Sequence, residues 1–456
     1  MSVPSPTSLL KNPYTPRGTV TDPDMFFGRK DELDYVFERL RGCQSISVVG
    51  PQSIGKSSLL RYICKREVYE RHLSAVDKWC FVFLDLHSLG QPTKQQFFEL
   101  VLEELEQVTN KQMGHFSADY DGFRSFVDVA HAAGWKLVLC LDGFDILGGR
   151  NEFDNDFFYF MRAMAGQHGN LAYVTASWTN LYNICHLSDA VGSGLWTAFV
   201  QQDLGLLESG AARDLVLLPH ESQGLKVYEA ELESMLRLAG RHPLFLQILC
   251  FHLFKAKANQ KSSGSVDFDT LKKEFQREAG PYFGHIWRQL SDEEKHLVQK
   301  IRKQGEMPKE DALLSTQLSA RSIIITSGGE YEPFSQGFAE FIDMTPPVEP
   351  AGEAVVVGPP VQEPQGAPKD EPQHSEPVKL FYGVGAALVI VVTVTAILVW
   401  AARQAPEQFP FIASVAIVST IVVTGFVMAY IGVFEGGQLL QLLQDVLKGK
   451  KAEEKE

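Results

Sequence analysis

The chain contains no C-x-x-C pair, and its six cysteines (Cys43, Cys64, Cys80, Cys140, Cys185, Cys250) are scattered through mostly apolar runs. That spacing excludes a disulfide framework and a zinc site and reads as buried thiols of a reducing compartment. No long basic block occurs, and the formal net charge is −14. Binding to a phosphate backbone needs clustered lysine and arginine, so nucleic acid is not an expected partner. The start Met1-Ser2-Val3-Pro4-Ser5-Pro6 lacks the basic-then-apolar pattern of a cleaved leader, and none is expected. No internal repeat is evident. With 21% charged and 45% hydrophobic residues, most of the chain is expected to be globular, and 456 residues leave room for two or three domains.

What is present is a phosphate cradle. Gly50-Pro51-Gln52-Ser53-Ile54-Gly55-Lys56-Ser57 reads G-x-x-x-x-G-K-S, directly after the apolar run Ile46–Val49 and before the helical pattern Ser58–Ile63. Such a loop turns backbone N–H groups inward and sets a helix N-terminus against an anion. Residues Gly50 through Ser58 are the expected nucleotide contacts. Lys56 would reach the β- and γ-phosphates, and the Ser57 hydroxyl would take one position on Mg²⁺. The run Lys136–Leu141 ends in Asp142, a carboxylate at the tip of a buried strand, where it can hold the same metal ion.

Composition divides the chain. Residues 1–25 are Pro- and Thr-rich and expected to be extended. Residues 26–205 alternate apolar runs (Ser45–Val49, Trp79–Asp85, Lys136–Leu141, Leu171–Ala176) with helical patterns (Glu32–Arg41, Gln95–Val108, Phe123–Ala133, Phe157–Gln167). That alternation predicts an α/β core with a parallel sheet and flanking helices. Residues 206–280 read as a helical domain: Glu208–Leu217, Glu229–Ala239, Leu244–Ala256 and Phe268–Glu278. Residues 281–343 add the helix Asp292–Lys303 and two short strands around Gly328-Gly329, the pattern of a winged helix. Residues 344–378 form a Pro- and Glu-rich linker.

Two uncharged runs, Phe381–Ala402 and Phe409–Phe434, fall within 379–434. Each exceeds the about 20 residues that cross a hydrocarbon core, and the short turn between them makes a transmembrane hairpin. Lys379 before it and Lys448, Lys450 and Lys451 after it place both ends, and the nucleotide domain, in the cytoplasm of a multi-pass membrane protein. The tail, residues 435–456, carries apolar positions at helical spacing and is expected to lie on the membrane or pair with copies of itself.

Several motifs together resemble the STAND branch of the AAA-related P-loop ATPases. They are Asn12-Pro13-Tyr14, Phe26-Phe27-Gly28-Arg29, the Gly50–Ser57 loop, the strand ending at Asp142, Thr175-Ala176-Ser177, and Gly240-Arg241-His242-Pro243. Ile286–Glu294 resembles the start of the family's winged helix. The resemblance implies ATP/ADP and Mg²⁺ as ligands. It places Phe27, Gly28 and Arg29 at the adenine, Ser177 at the γ-phosphate, and His242 and Pro243 against the base. It further implies an ADP-held closed state, an ATP-favoured state that self-associates into a homo-oligomer, and an unidentified protein trigger. Relatives carry an acidic residue after the metal-binding Asp and an arginine after Thr-Ala-Ser. This chain has Gly143 and Trp178. Asp145 is then the remaining carboxylate for catalysis beside Lys56 and Asp142, and slow or partner-stimulated hydrolysis is expected. The other reading of the hairpin is a passive anchor for a membrane-tethered adaptor that recruits a protein partner.

Overall fold

A computed structural model describes residues 10–109, 114–188, 190–259, 266–305 and 312–348. The expected spans and tail, and all but the start of the linker, lie outside the described residues. Among the described residues no helix is long and apolar enough to cross a membrane.

The first half is a five-stranded parallel sheet between two layers of helices. In chain order it runs α1 (Lys30–Arg41), β1 (Ser45–Val49), α2 (Lys56–Ile63), the single turn α3 (Arg66–Tyr69), β2 (Trp79–Asp85), α4 (Lys94–Val108) and α5 (Tyr120–Ala132). Then come β3 (Lys136–Asp142), α6 (Asn155–Gln167), β4 (Leu171–Ser177), α7 (Leu181–Leu187) and β5 (Phe199–Asp203). The strand order is β2-β3-β4-β1-β5. Apolar residues are continuous along β3 because both of its faces are covered. Leu137, Leu139 and Leu141 pack toward α4, α5 and α6 with Phe97, Phe126 and Phe157. Val138 and Cys140 pack the other way, onto Phe37, Leu60 and Ile63 of α1 and α2. Asp85 and Asp142 pair in register, which brings two carboxylates to adjacent strand ends. The six cysteines are all free, and five of them are buried.

The second half is helical: α8 (Ser209–Glu221), α9 (Glu229–Ala239), α10 (Pro243–Asn259), α11 (Phe268–Arg288), α12 (Asp292–Gln304) and α13 (Ala312–Ala320). An antiparallel hairpin, β6 (Ile324–Ser327) and β7 (Glu330–Pro333), leads to α14 (Gln336–Asp343). Gly328 and Gly329 both have positive φ, +60° and +92°, as a two-residue turn between strands of right-handed twist requires. The core here is aromatic. Phe245 of α10 packs on Phe283 of α11 with ring centroids 4.4 Å apart, and Phe334 stacks on Phe338 at 4.9 Å.

The expected boundary at 280/281 falls inside α11 and is corrected by it. That helix continues through Pro281 to Arg288. Its buried stripe Leu271, Phe275, Ala279, Phe283 and Ile286 keeps helical spacing past the proline, and burying those rings outweighs one lost backbone hydrogen bond.

Candidate functional site

The loop between β1 and α2 is held open by its own backbone. Ser53 has φ +61° and Gly55 +105°, so successive peptide N–H groups turn toward one concavity. Gly50 must lack a side chain, because a Cβ there would lie 2.5 Å from the Leu204 carbonyl oxygen. Its N–H donates to the Ser177 carbonyl at the end of β4 (3.2 Å), which fixes the loop to the sheet.

Lys56 opens α2 and folds back over the loop. Its ammonium donates to the carbonyls of Gly50 and Pro51, both at 2.8 Å. Burial pushes its pKa down to about 8, against the opposing charges of Asp145 and Asp142. Asp142 is itself buried, and desolvation raises its pKa. The Ser57 hydroxyl opposes that rise by hydrogen bonding, the neighbouring Asp85 adds to it, and His87 and Lys56 counter it. A hydroxyl and a carboxylate facing each other at a helix N-terminus are the hard oxygen donors that Mg²⁺ takes. The residues present therefore fit a magnesium nucleotide.

These groups line one cavity of about 550 Å³. Its walls come from both halves of the fold. The core supplies the phosphate loop, His87, Asp142, Gly143, Asp145 and Trp178. The helical half supplies Leu215, Pro243, Leu244 and Gln247, and the end of α11 with its C-cap adds Tyr282, His285 and Gln289. A third wall is the N-terminal segment. Tyr14 is buried, with its hydroxyl 2.6 Å from His220 Nδ1. Thr15 N–H donates to Gln247 Oε1 (3.3 Å), and Val20 N–H donates to Ser58 Oγ (3.1 Å). Among its described residues the segment has no strand or helix before Pro23–Met25, yet it is held in place as part of the cavity lining.

The model of the Novel STAND NTPase 2 family matches residues 41–306, more than half of the chain. The chain belongs to that family. Among solved structures, this STAND NTPase is similar to the Walker-type ATPase PABY2304 of Pyrococcus abyssi. The identity is 15%, over 72% of this chain and 99% of that one, with a TM-score of 0.53. That likeness is one of fold. A weaker one, with a TM-score of 0.47 and 12% identity over 72% of this chain and 96% of that one, is to the ADP form of the Aeropyrum pernix ORC2 protein. No curated protein matches.

Within this STAND NTPase the expected site residues separate into two groups. Phe27, Arg29, Gln52, Ser53, Ile54, Gly55, Lys56, Ser57, Ser58, Asp142, Asp145 and Pro243 all line the cavity. Gly28, Gly50, Pro51, Ser177 and His242 are not among its lining residues. Ser177 is buried, and its hydroxyl donates to the Thr179 carbonyl (2.7 Å) within its own turn. Gly28 allows close approach of α8, since a Cβ there would meet that of Ala211 at 2.6 Å. His242 is 2% exposed and packs between Phe245 and Phe334. Neither of its ring nitrogens has a hydrogen-bond partner of ordinary geometry. Burial, with the charges of Arg29 and Lys56, drives its pKa down to about 3, although the Gln52 backbone nearby opposes this. Arg29 lines the cavity, but its guanidinium is engaged by protein groups: Ile54 O at 3.0 Å, Gly205 O at 2.7 Å and Glu32 Oε1 at 2.9 Å.

The residues that sequence reasoning missed are His87, the Thr15–Val20 segment, and Tyr282, His285 and Gln289. The last three had a signal. They sit at i, i+3 and i+7 along the end of α11 and its C-cap, on a flank adjoining the buried stripe.

Proposed function

We propose that this protein is an ATP-binding switch held at a membrane, whose nucleotide state controls self-association. One observation carries the reading: the cavity is walled jointly by the phosphate loop and by the helical half through Pro243, Leu244, Tyr282, His285 and Gln289. A triphosphate and a diphosphate differ where Lys56, Asp142 and Asp145 converge. Unequal affinity for the two would bias how the helical half packs on the core. Lys56 holds phosphate oxygens, Ser57 and Asp142 hold Mg²⁺, and the apolar wall with Pro243 and Phe27 takes the base. Bound Mg²⁺ would neutralise phosphate charge and orient the terminal phosphoryl group. Hydrolysis is slow or partner-stimulated, since position 143 offers no carboxylate and position 178 no cation.

The segment α12–α13–β6–β7 supports a winged-helix reading for residues 281–343. The apolar runs at 381–402 and 409–434 support a two-span anchor with the nucleotide domain on the cytoplasmic side. The partners are then a second copy of this chain, the lipid bilayer and a protein trigger.

The experiment is a size measurement on the full chain purified from membranes in mild detergent, with Mg·ATP, Mg·ADP or no nucleotide. A larger species with ATP alone, absent in Lys56→Ala, is expected. One size under all three conditions would leave a nucleotide-binding protein with no switch.

A further inference from the structure

The position after Asp142 has no side chain, yet the space is filled. A Cβ built on Gly143 would lie 2.1 Å from both Cε1 and Nδ1 of His87, so the imidazole occupies the volume that a residue-143 side chain would take. Gly143 has φ +72°, a conformation that suits glycine and keeps the backbone under the ring. His87 comes from a different strand, on the turn Leu86–Leu89 that follows β2. Its placement is built into the sheet. Asp85, the register partner of Asp142, caps that turn by accepting the His87 N–H at 3.1 Å. The same carboxylate stands 3.6 Å from His87 Nδ1. At that distance the carboxylate's charge, not a hydrogen bond, biases a neutral ring toward the Nδ1–H tautomer, in which Nε2 is the acceptor. The imidazole is 61% exposed and lines the cavity beside Asp142. Asp145, the other nearby carboxylate, directs its charge at Lys56.

We propose that His87 orients the attacking water in nucleotide hydrolysis, with Asp85 as its positioning residue and Gly143 as the gap that admits it. The inference rests on the nucleotide-binding reading of the cavity. In the step, the water oxygen bonds to the terminal phosphorus and the bridging P–O bond breaks toward the diphosphate. The displaced proton ends on inorganic phosphate. His87 accepts a hydrogen bond from the water and is unchanged at the end.

The test uses the full chain with His87→Ala, His87→Gln and Gly143→Ala. Calorimetry gives the affinity for Mg·ADP. The lifetime of the complex with ADP and aluminium fluoride reports the transition-state arrangement without turnover. A single-turnover assay gives phosphate release. His87→Ala should bind Mg·ADP within about threefold of the parent, while the lifetime falls at least about tenfold and phosphate release about 10²-fold. His87→Gln, which keeps an acceptor, should recover part of both. Gly143→Ala, whose methyl displaces the imidazole, should reproduce the loss. An unchanged lifetime in His87→Ala overturns the proposal, as does a parent that binds Mg·ADP but forms no aluminium fluoride complex. A parent that fails to bind Mg·ADP at all sinks the nucleotide reading instead.

Discussion

The guanidinium of Arg29 donates to the Gly205 carbonyl at 2.7 Å, joining the start of α1 to the chain that leaves the sheet for the helical half. The same nitrogen reaches Ile54 O in the phosphate loop at 3.0 Å, and Glu32 holds the other arm at 2.9 Å. The side chain is only 5% exposed, and desolvation lowers its pKa against the pull of Glu32. One planar cation thus couples the phosphate loop to the connection that follows β5. Arg29→Ala leaves two carbonyls and a carboxylate without their partner, and should cost about 3–5 kcal/mol in urea unfolding. Arg29→Lys should recover less than half of that, since an ammonium cannot reproduce the fork. A loss under about 1 kcal/mol for the alanine variant would contradict this role.

What the sequence disclosed and what it hid follow from the range of the interactions involved. The strands β1 to β4 were legible because a doubly covered strand is apolar without interruption. The edge strand β5 was missed because Gln201, Gln202 and Asp203 leave only Phe199 and Val200 as an apolar run. The phosphate loop was legible because its geometry comes from glycines at fixed local spacing. His87 was not, since only the pairing of β2 with β3 carries it onto Gly143. The resemblance put Ser177 at the γ-phosphate; in the structure its hydroxyl donates to the Thr179 carbonyl, a contact within its own turn. Arg29 lines the cavity, but its bonding partners are contributed from positions 54 and 205, beyond any local pattern.

Lys56 gives a prediction with two opposite signs. Its ammonium is held in a desolvated site, where the pKa falls to about 8, so its charge is a burden without nucleotide. Lys56→Met should leave the thermal midpoint of the nucleotide-free protein unchanged or slightly higher. The variant should lose the rise that saturating Mg·ADP gives the parent, about 2.7 kcal/mol at a hundredfold excess over Kd. Differential scanning fluorimetry with and without nucleotide reads both. A variant that keeps the nucleotide-induced rise would remove Lys56 from the phosphate site.

Gly240 joins α9 to α10 in a conformation, φ +63° and ψ −152°, that suits glycine alone. The backbone just after β7 approaches it closely, and an added Cβ would lie 2.3 Å from the Phe334 carbonyl oxygen. Gly240→Ala must shift either the hairpin or α10, and Pro243 and Leu244 on the cavity wall move with the latter. A cost of about 2–4 kcal/mol is expected from strain and overpacking together. Nucleotide affinity should fall as well, which calorimetry would show. Wild-type affinity in a destabilised Gly240→Ala protein would mean that α10 stays in place and the hairpin yields.

Two buried histidines set the acid limit of the fold. His242 has its pKa lowered to about 3, and His220, whose Nδ1–H donates to the Val216 carbonyl at 2.7 Å, to about 4. Unfolded, each would titrate near its ordinary value of 6.5. Below that pH the unfolded chain binds protons that the folded chain refuses. Stability is therefore fully present above about pH 6.5 and declines as pH falls, by up to about 1.4 kcal/mol per pH unit for each histidine. For His220 the decline continues to about pH 4, and for His242 to about pH 3. His242→Leu keeps the side-chain volume and removes two unpartnered nitrogens, so it should raise stability at pH 5 more than at pH 7.5. Unfolding free energies measured across pH 4.5–7.5 should show a slope smaller by about one proton in the variant. Carboxylates titrate alike in both proteins and cancel in the difference. Parallel curves for parent and variant would mean that His242 is protonated inside the fold, and that the Gln52 carbonyl beside it accepts the proton's hydrogen bond.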